Sequence, residues 1–246
     1  FAVFTNLWKV ITVNKLVISF PAKQKTGGVT MRKVFFSIII LLVLFSVVLS
    51  PQVSADDKKA DETYKALLAK AKASDPKLDF TEMRMTYAQT SFFNPYKTDK
   101  ENREMWEFFK SQKYREAAEK AAIVLSTNYL DVDAQFICFI SYKQIGDSST
   151  SKHHYYMFRG IINSILQSGD GKTMVSAYKV ISMPEEYALM NALGLKLAKQ
   201  SLVEQNGKKF DKMEVTNSET GENTTIFFNI DIPFNWLEKK MSGKGK

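Results

Sequence analysis

The hydrophobic periodicity of the sequence changes near Gly169, and this change limits the fold more than any other feature. Between Asp56 and Gly169 the apolar residues recur at helical spacing. Beyond Gly169 short segments of strand-forming residues follow, and the Asn206-Gly207 pair between two of them is the strongest short signal for a β-hairpin. Helices followed by strands predict an α+β fold, with N-terminal antiparallel helical hairpins and a small C-terminal antiparallel sheet that includes a short helix.

Two segments in the helical half have the residues that begin a helix. Asp79 is followed three positions later by a glutamate, and Leu78 and Met83 are placed as a hydrophobic staple, so we expect a helix to begin there. Residues 98–101, TDKE, repeat this capping box. Between the two segments SFFNPYKTD contains an Asn-Pro pair and is predicted to be a loop. A further helix is predicted at 151–167.

The segment from Lys113 to Asp147 has the best-defined helical pattern. It resembles a tetratricopeptide repeat, in which small residues let two antiparallel helices approach each other. The matching residues are Tyr114, Ala117, Leu125, Ala134, Tyr142 and Gly146. Tyr129 and Phe139 stand where that pattern has small residues or proline. An array also needs at least three repeats. The resemblance therefore implies one helical hairpin and no ligand. A genuine tetratricopeptide array is the less favoured alternative.

Turn-forming residues divide the C-terminal third into short elements. Ser182, Pro184 and Glu185 combine a capping box with an N-terminal proline, so we expect a short helix that ends at Gly194. The other predicted elements are strands at 177–181, 202–205, 210–215 and 224–230, a turn at 217–222 and a frayed basic tail at 239–246.

The N-terminal residues have the pattern of a secretory signal peptide. Arg32 and Lys33 precede an uncharged apolar run, and the small residues near Ala55 suit cleavage by a signal peptidase, which predicts a secreted or periplasmic protein. The apolar run is longer than usual, so a retained membrane anchor is the alternative. The predicted regions are an untranslated or leader segment at 1–30, the signal peptide at 31–55, a helical region at 56–169, a sheet region at 170–238 and a basic tail at 239–246.

The positive charge of the chain and its cysteine content exclude several classes of function. The formal net charge is +8, but the first 55 residues hold six of the 34 basic residues and none of the 26 acidic ones. The remainder is nearly neutral, which argues against nucleic-acid binding. Cys138 is the only cysteine, so no intramolecular disulfide can form and a hydrophobic core must stabilise the fold. Because its neighbours are apolar, we interpret Cys138 as a small buried hydrophobe.

The segment SGDGKT, residues 168–173, resembles the end of a phosphate-binding loop but fails both tests for one. That loop needs a glycine five positions before Gly171, where this chain has Leu166, and it needs a strand before it and a helix after it. The predicted order here is the reverse. We therefore expect Gly169 to end the helix in a left-handed conformation, and Asp170 with Gly171 to form a turn.

Four longer strings resemble a known family. They are TEMRMTYAQT with FFNPY at 81–96, FRGIINSILQSGDGKT at 158–173, AYKVISMPEEYALMNALGL at 177–195 and NIDIPFNW at 229–236. Their order and their residues resemble the exported bacterial family called domain of unknown function 4919, over nearly all of the chain after residue 55. The resemblance implies an envelope or secreted protein without an assigned activity, and hence no catalytic residues to transfer.

A few residues suggest a hydrolase as the alternative function. His154, Glu186 and Asp231 could serve as acid, base or orienting group where the helical part meets the sheet. Each also has an ordinary explanation, as a partly buried histidine, a first-turn acid and a turn-capping aspartate. The neighbouring His153 points about 100° away on a helix, so the two histidines do not form a metal site. Glu185 is expected to act as the capping-box acid of its helix.

The leading hypothesis is a noncatalytic binding or scaffold protein of the cell envelope or of the secreted fraction, with a peptide or protein as its partner. We expect no cofactor, no metal, no nucleic acid, no membrane contact beyond the signal segment, and a monomer. The candidate binding residues are Arg84, Tyr87, Phe92, Phe93 and Tyr96. Arg84 and Tyr87 share a helix face, and the ordinary explanation of this arginine is a surface salt bridge. The other three form an aromatic loop of the kind that peptide or glycan binders display.

Overall fold

Aspartate side chains begin three of the helices in this protein. The computed structural model describes residues 55–97 and 100–243 of the chain. Asp79, Asp131 and Asp147 each accept a hydrogen bond from the backbone N–H three residues later, at 2.9, 2.9 and 3.1 Å. These caps satisfy N–H groups that the first turn of a helix leaves without a partner. The helix start predicted at Asp79 is therefore confirmed, since the helix begins at Phe80.

Helices make up most of the described residues. The eight helices of this part of the chain are α1 (Ala55–Lys72), α2 (Phe80–Tyr87), α3 (Lys100–Lys110), α4 (Tyr114–Thr127), α5 (Val132–Gln144), α6 (Ser148–Leu166), α7 (Met183–Ala192) and α8 (Asp231–Ser242). The first six precede the sheet. Among these helices, none has both the length and the apolar character needed to cross a membrane. The predicted leader and signal peptide up to residue 54, and the first half of the capping box at 98–101, lie outside the described residues.

In the part of the chain that the structure describes, four strands form one sheet in the order β1-β4-β3-β2. They are β1 (Tyr178–Lys179), β2 (Leu195–Gln205), β3 (Lys208–Asn217) and β4 (Asn223–Asn229). Strands β2 and β3 form the hairpin predicted at Asn206-Gly207. Both turn residues have positive φ angles, 54° and 72°, which a type I′ turn requires and which asparagine and glycine adopt most readily.

The sheet is mixed, which corrects the prediction of a purely antiparallel sheet. The pairs β2–β3 and β3–β4 are antiparallel, whereas β1 runs parallel to β4, with Tyr178 opposite Phe228. Helix α7 and the β2–β3 hairpin separate β1 from β4 along the chain, and a parallel pair needs a long connection of this kind. The local pattern of a strand does not show which distant strand becomes its neighbour.

Helix α8 corrects the predicted end of the chain. The sequence predicted a frayed tail from residue 239, whereas residues 231–242 form a helix. Pro233 lies in the first turn of α8, where the missing N–H of proline would have no helical partner in any case, so the helix tolerates it.

Two hydrophobic clusters form the core of the described residues. The larger one joins α1, α2, α6 and α7 to the sheet, and the smaller one lies among α3, α4 and α5. Ala117, Ala121 and Ala134 are fully buried in the smaller cluster, and their small side chains let α4 and α5 pack closely. The two helices predicted at 113–147 are confirmed, while their assignment as a tetratricopeptide unit stays a prediction. Cys138 is also fully buried, and burial raises the pKa of its thiol to about 12.

The SGDGKT segment forms a turn as predicted, but Gly169 has a different role from the one expected. Helix α6 ends at Leu166, and the left-handed backbone occurs at Gly171, with a φ angle of 68°, instead of at Gly169. The N–H groups of Asp170 and Gly171 donate to the carbonyl oxygen of Ser176, at 3.0 and 2.8 Å. A Cβ atom at Gly169 would collide with that same carbonyl oxygen, so glycine is needed there for close approach.

Candidate functional site

The aromatic loop, residues 91–97, is held by helices that lie far from it in the sequence. The backbone N–H and the hydroxyl of Ser91 donate to the carboxylate of Asp61 on α1, at 2.9 and 2.7 Å. The indole N–H of Trp236 on α8 donates to the carbonyl oxygen of Phe93, at 2.8 Å. The Phe93 ring is buried edge-on against Tyr87, with 5.3 Å between the ring centroids. These contacts fix the loop before any partner binds, which lowers the entropy cost of binding.

Phe92 is the exposed ring of this loop beside a groove. It is 51% exposed, and its centroid lies 5.8 Å from that of Tyr64 and 6.0 Å from that of Tyr87. The adjoining cavity, which we call the aromatic groove, has a volume of about 400 Å³ and lies between the loop, α1 and the C-terminal end of α4. Its apolar lining is Tyr64, Leu68, Phe92, Leu125 and Tyr129, and its charged rim is Asp61, Glu62, Lys65 and Lys72.

Tyr96 lies where the aromatic loop meets α8. Its ring packs against Trp236 with 5.9 Å between the centroids, and it is 38% exposed. The backbone N–H of Tyr96 donates to the side-chain oxygen of Asn94, so the Asn-Pro pair forms a local turn as predicted. Partial burial raises the pKa of the Tyr96 phenol, and the nearby carboxyl groups of Glu186 and Asp211 raise it further.

Arg84 is the cation of a buried ion pair, which corrects the expectation of a surface salt bridge. Its Nε and Nη2 atoms donate to the two carboxylate oxygens of Glu185, at 2.8 and 2.6 Å. Nη1 donates to the hydroxyl of Ser164 at 2.9 Å, and Nη2 also donates to the carbonyl oxygen of Lys179 at 3.0 Å. All three guanidinium nitrogens are therefore used inside the protein, and Arg84 is only 1% exposed.

Glu185 does not cap its helix, which corrects the prediction made from the capping-box pattern. Ser182 makes no side-chain cap bond. The Glu185 carboxylate instead accepts the backbone N–H of Ile181, at 2.8 Å, in addition to the two bonds from Arg84. The pair joins α2 to the first turn of α7 and to the end of β1. No sequence signal pointed to it, because its two members stand 101 residues apart.

The structure separates the five candidate binding residues into two groups. Arg84, Tyr87 and Phe93 are at most 6% exposed and lie under the surface, whereas Phe92 and Tyr96 reach the solvent. Burial raises the pKa of the Tyr87 phenol to about 12, with a further contribution from the charge of Asp131. Tyr87 and Phe93 support the loop, whereas Arg84 joins α2 to α6 and α7. The two exposed rings are the ones that a ligand could contact.

The two histidines are held by neighbours within the helical region. His154 is buried, its Nδ1 atom lies 2.7 Å from the side-chain oxygen of Gln135, and its ring stacks on Tyr142. Burial, and to a smaller extent the neighbouring His153, lowers the pKa of His154 to about 4. His153 bridges a serine hydroxyl and the phenol of Tyr129, with 2.6 Å between Nε2 and the phenol oxygen. Both histidines therefore have structural roles, since their side chains contact neighbouring residues of the helical region.

Glu186 and Asp211 form a carboxyl pair that the sequence did not predict. Glu186 is 2% exposed, and within the described residues its Oε2 atom meets no N–H or O–H donor. Burial raises its pKa well above the usual range, and Asp211 raises it further. Burial also raises the pKa of Asp211, and two adjacent carboxyl groups can hydrogen-bond only when one is protonated, so the pair favours keeping a proton. Asp211 in turn accepts a bond of 2.7 Å from Gln200, whose oxygen accepts the Tyr187 hydroxyl at 3.2 Å.

The three residues of the hydrolase alternative have separate partners. Asp231 accepts hydrogen bonds from the backbone N–H of Lys209, at 2.7 Å, and from the side chain of Asn229, at 3.0 Å, so it joins the start of α8 to the start of β3. His154 bonds to a glutamine on α5, and Glu186 pairs with β3. No hydrogen bond connects any two of His154, Glu186 and Asp231 in the described residues. In the same part of the chain, no cluster of three or more His, Cys, Asp or Glu could hold a metal ion.

Comparison with known proteins identifies the class of this protein. Residues 52–239 match the family described as domain of unknown function (DUF4919). This range contains helices α1 to α7, the mixed sheet and the buried Arg84–Glu185 pair. The match covers most of the chain. The protein therefore belongs to the DUF4919 family, as its sequence strings indicated. No curated protein and no solved structure matches the chain significantly.

Proposed function

We propose that this DUF4919 protein is an exported, noncatalytic binding protein that holds a peptide segment of a partner protein in the aromatic groove. The observation that carries the proposal is the combination of an exposed Phe92 with a loop anchored on both sides. An aromatic ring that is half exposed on a fixed support loses little freedom on binding, and such rings dominate the energetics of many interfaces. The signal-like pattern at 31–55 is the reason to expect export.

The groove has the features of a site for a short peptide. Its floor is aromatic and aliphatic, while Glu62 and Lys65 at its rim present both signs of charge. An apolar side chain of the partner would pack on Phe92 and Tyr64, and the flanking charges of the partner would set its direction along α1. Asp61 already bonds to Ser91, so it supports the loop instead of the ligand.

Site-specific cross-linking tests the proposal and identifies the ligand. A photoreactive amino acid at Lys65, on the groove rim, should capture a peptide segment from an envelope extract, whereas the same group at the exposed Lys143 of α5 should not. The captured segment is then synthesised and its affinity for the purified protein is measured by calorimetry. Equal capture at both positions would mean that the groove has no selective ligand.

Truncating Phe92 should then weaken binding of the synthetic peptide without unfolding the protein. Phe92→Ala is expected to raise the Kd at least about tenfold, as for aromatic hot spots. Leu202→Ala is the matched control, because Leu202 is 56% exposed, lies on β2 and does not line the groove. If Phe92→Ala binds the peptide as tightly as the unmodified protein does, the aromatic groove is not the binding site.

A further inference from the structure

A second cleft, between the start of α2 and helix α6, presents polar side chains that have no partner within the described residues. The cleft has a volume of about 650 Å³, within the usual range for ligand sites. Tyr155, Arg159, Asn163 and Gln167 line one wall at intervals of four residues, so they project from one face of α6 and its C-terminal end. This cleft shares no lining residue with the aromatic groove, so it stands apart from the proposed peptide site.

The cation of this wall is available to a ligand. Arg159 is exposed and makes no ion pair or hydrogen bond within the described residues, and the side chains of Asn163 and Gln167 are also exposed and unbonded there. Asp79 lines the cleft as well, but it accepts the N–H of Glu82 as the cap of α2 and forms no ion pair with Arg159. An arginine with unused donors binds a carboxylate through two parallel hydrogen bonds.

Aromatic rings form the floor of the cleft. The Phe80 ring rests on Gly160, where any Cβ atom would overlap it, so α2 and α6 approach closely at this point. The rings of Phe80 and Tyr156 meet edge-on with 5.3 Å between centroids, and the Tyr156 hydroxyl donates to the carbonyl oxygen of Asp75 at 2.7 Å. Tyr155 is 43% exposed at the mouth. The floor is therefore formed before a ligand enters.

We propose that this cleft binds an oligosaccharide that carries a carboxylate. Arg159 would hold the acid group, the amides of Asn163 and Gln167 would pair with neighbouring hydroxyls, and the aromatic rings would pack on the sugar face. A side-chain amide offers a donor and an acceptor side by side, which suits adjacent hydroxyl groups. A peptide would instead need an aliphatic side-chain pocket, and the aliphatic lining is only Pro76 and Leu78, of which Leu78 is itself buried in the core.

Calorimetry with matched sugars tests this site. Short oligosaccharides of glucuronate, galacturonate, N-acetylneuraminate and N-acetylmuramate are titrated into the full chain, each beside its neutral methyl ester. At least one acid should bind with a Kd at or below about 1 mM, and its ester should bind at least about tenfold more weakly. Failure of all four acids to bind, or equal binding of acid and ester, would overturn the assignment.

Two variants of α6 distinguish binding through Arg159 from attraction by the overall positive charge of the protein. Arg159→Gln should lower the affinity for the acid about tenfold, to the level of the ester, while Lys152→Gln on the same helix should leave it unchanged. Both residues are exposed, so the thermal midpoint of each variant should stay near that of the unmodified protein. A short peptide with a free C-terminal carboxylate is the third ligand. If it binds through Arg159 and no sugar does, the cleft recognises peptides and the proposal fails.

Discussion

Replacing Glu186 with glutamine should remove a part of the pH dependence of this protein's stability. Glu186 is 2% exposed and faces the carboxyl group of Asp211, and no cation forms an ion pair with it within the described residues. Glutamine has nearly the same shape, is neutral at every pH and can donate an N–H to Asp211. The substitution therefore keeps the packing of α7 against β3 and removes one titrating proton.

The direction of the effect follows from the raised pKa of Glu186. Below the usual value of 4.5 the group is protonated in both the folded and the unfolded chain, so it contributes no pH dependence. Above this value the unfolded chain releases the proton while the folded protein keeps it. The free energy of unfolding then falls by up to about 1.4 kcal/mol per pH unit, until the pH passes the folded pKa. The loss belongs to the Glu186–Asp211 pair, because its two carboxyl groups titrate together.

Urea unfolding at pH 5 and pH 6 measures this effect. The unmodified protein should lose about 1 kcal/mol more than Glu186→Gln over this interval. Glu222→Gln is the control, because Glu222 is exposed in the β3–β4 turn and should leave the pH dependence unchanged. Parallel pH dependences for the unmodified protein and Glu186→Gln would refute the raised pKa of Glu186.

Two further substitutions test the buried ion pair and the anchoring of the aromatic loop. Arg84→Met leaves the Glu185 carboxyl buried without its cation and should lower the free energy of unfolding by about 3–5 kcal/mol. The control Arg115→Met, at an exposed position, should lower it by less than about 0.5 kcal/mol. Similar urea midpoints for the two variants would show that the ion pair contributes little. Trp236→Phe removes the N–H that the Phe93 carbonyl accepts and should cost about 1 kcal/mol, with faster amide hydrogen exchange in the aromatic loop. Unchanged exchange there would mean that α8 does not hold the loop.

Much of the fold could be predicted because its signals are local. The cap at Asp79 and the turn at Asn206-Gly207 each depend on contacts within about four residues, so their residue types alone indicated them. The same local logic failed where a residue had two plausible roles. Glu185 fits a capping box, yet it pairs with a distant cation, and residues 239–242 suggested a frayed tail, yet they continue a helix.

The candidate sites were predictable only in part. The sequence indicated an aromatic loop, but it did not show that Phe92 and Tyr96 would be exposed while Phe93 was buried, since that depends on where α1 and α8 pack. The cleft on α6 gave no motif, because its polar residues resemble the solvated face of any helix. Arg159 became informative only when the structure placed it in a cleft where no described residue forms an ion pair with it.

By itself, the sequence determined where most helices and strands begin and turn, the order of helices before strands, and membership of the family. The tertiary structure decided which residues meet: the ion pair of Arg84 with Glu185, the carboxyl pair of Glu186 with Asp211, and the parallel pairing of β1 with β4. Caps and turns depend on a few adjacent residues, whereas buried charges find partners through the packing of the whole chain. Residues 101 positions apart can be matched only when helices and sheet are already in place.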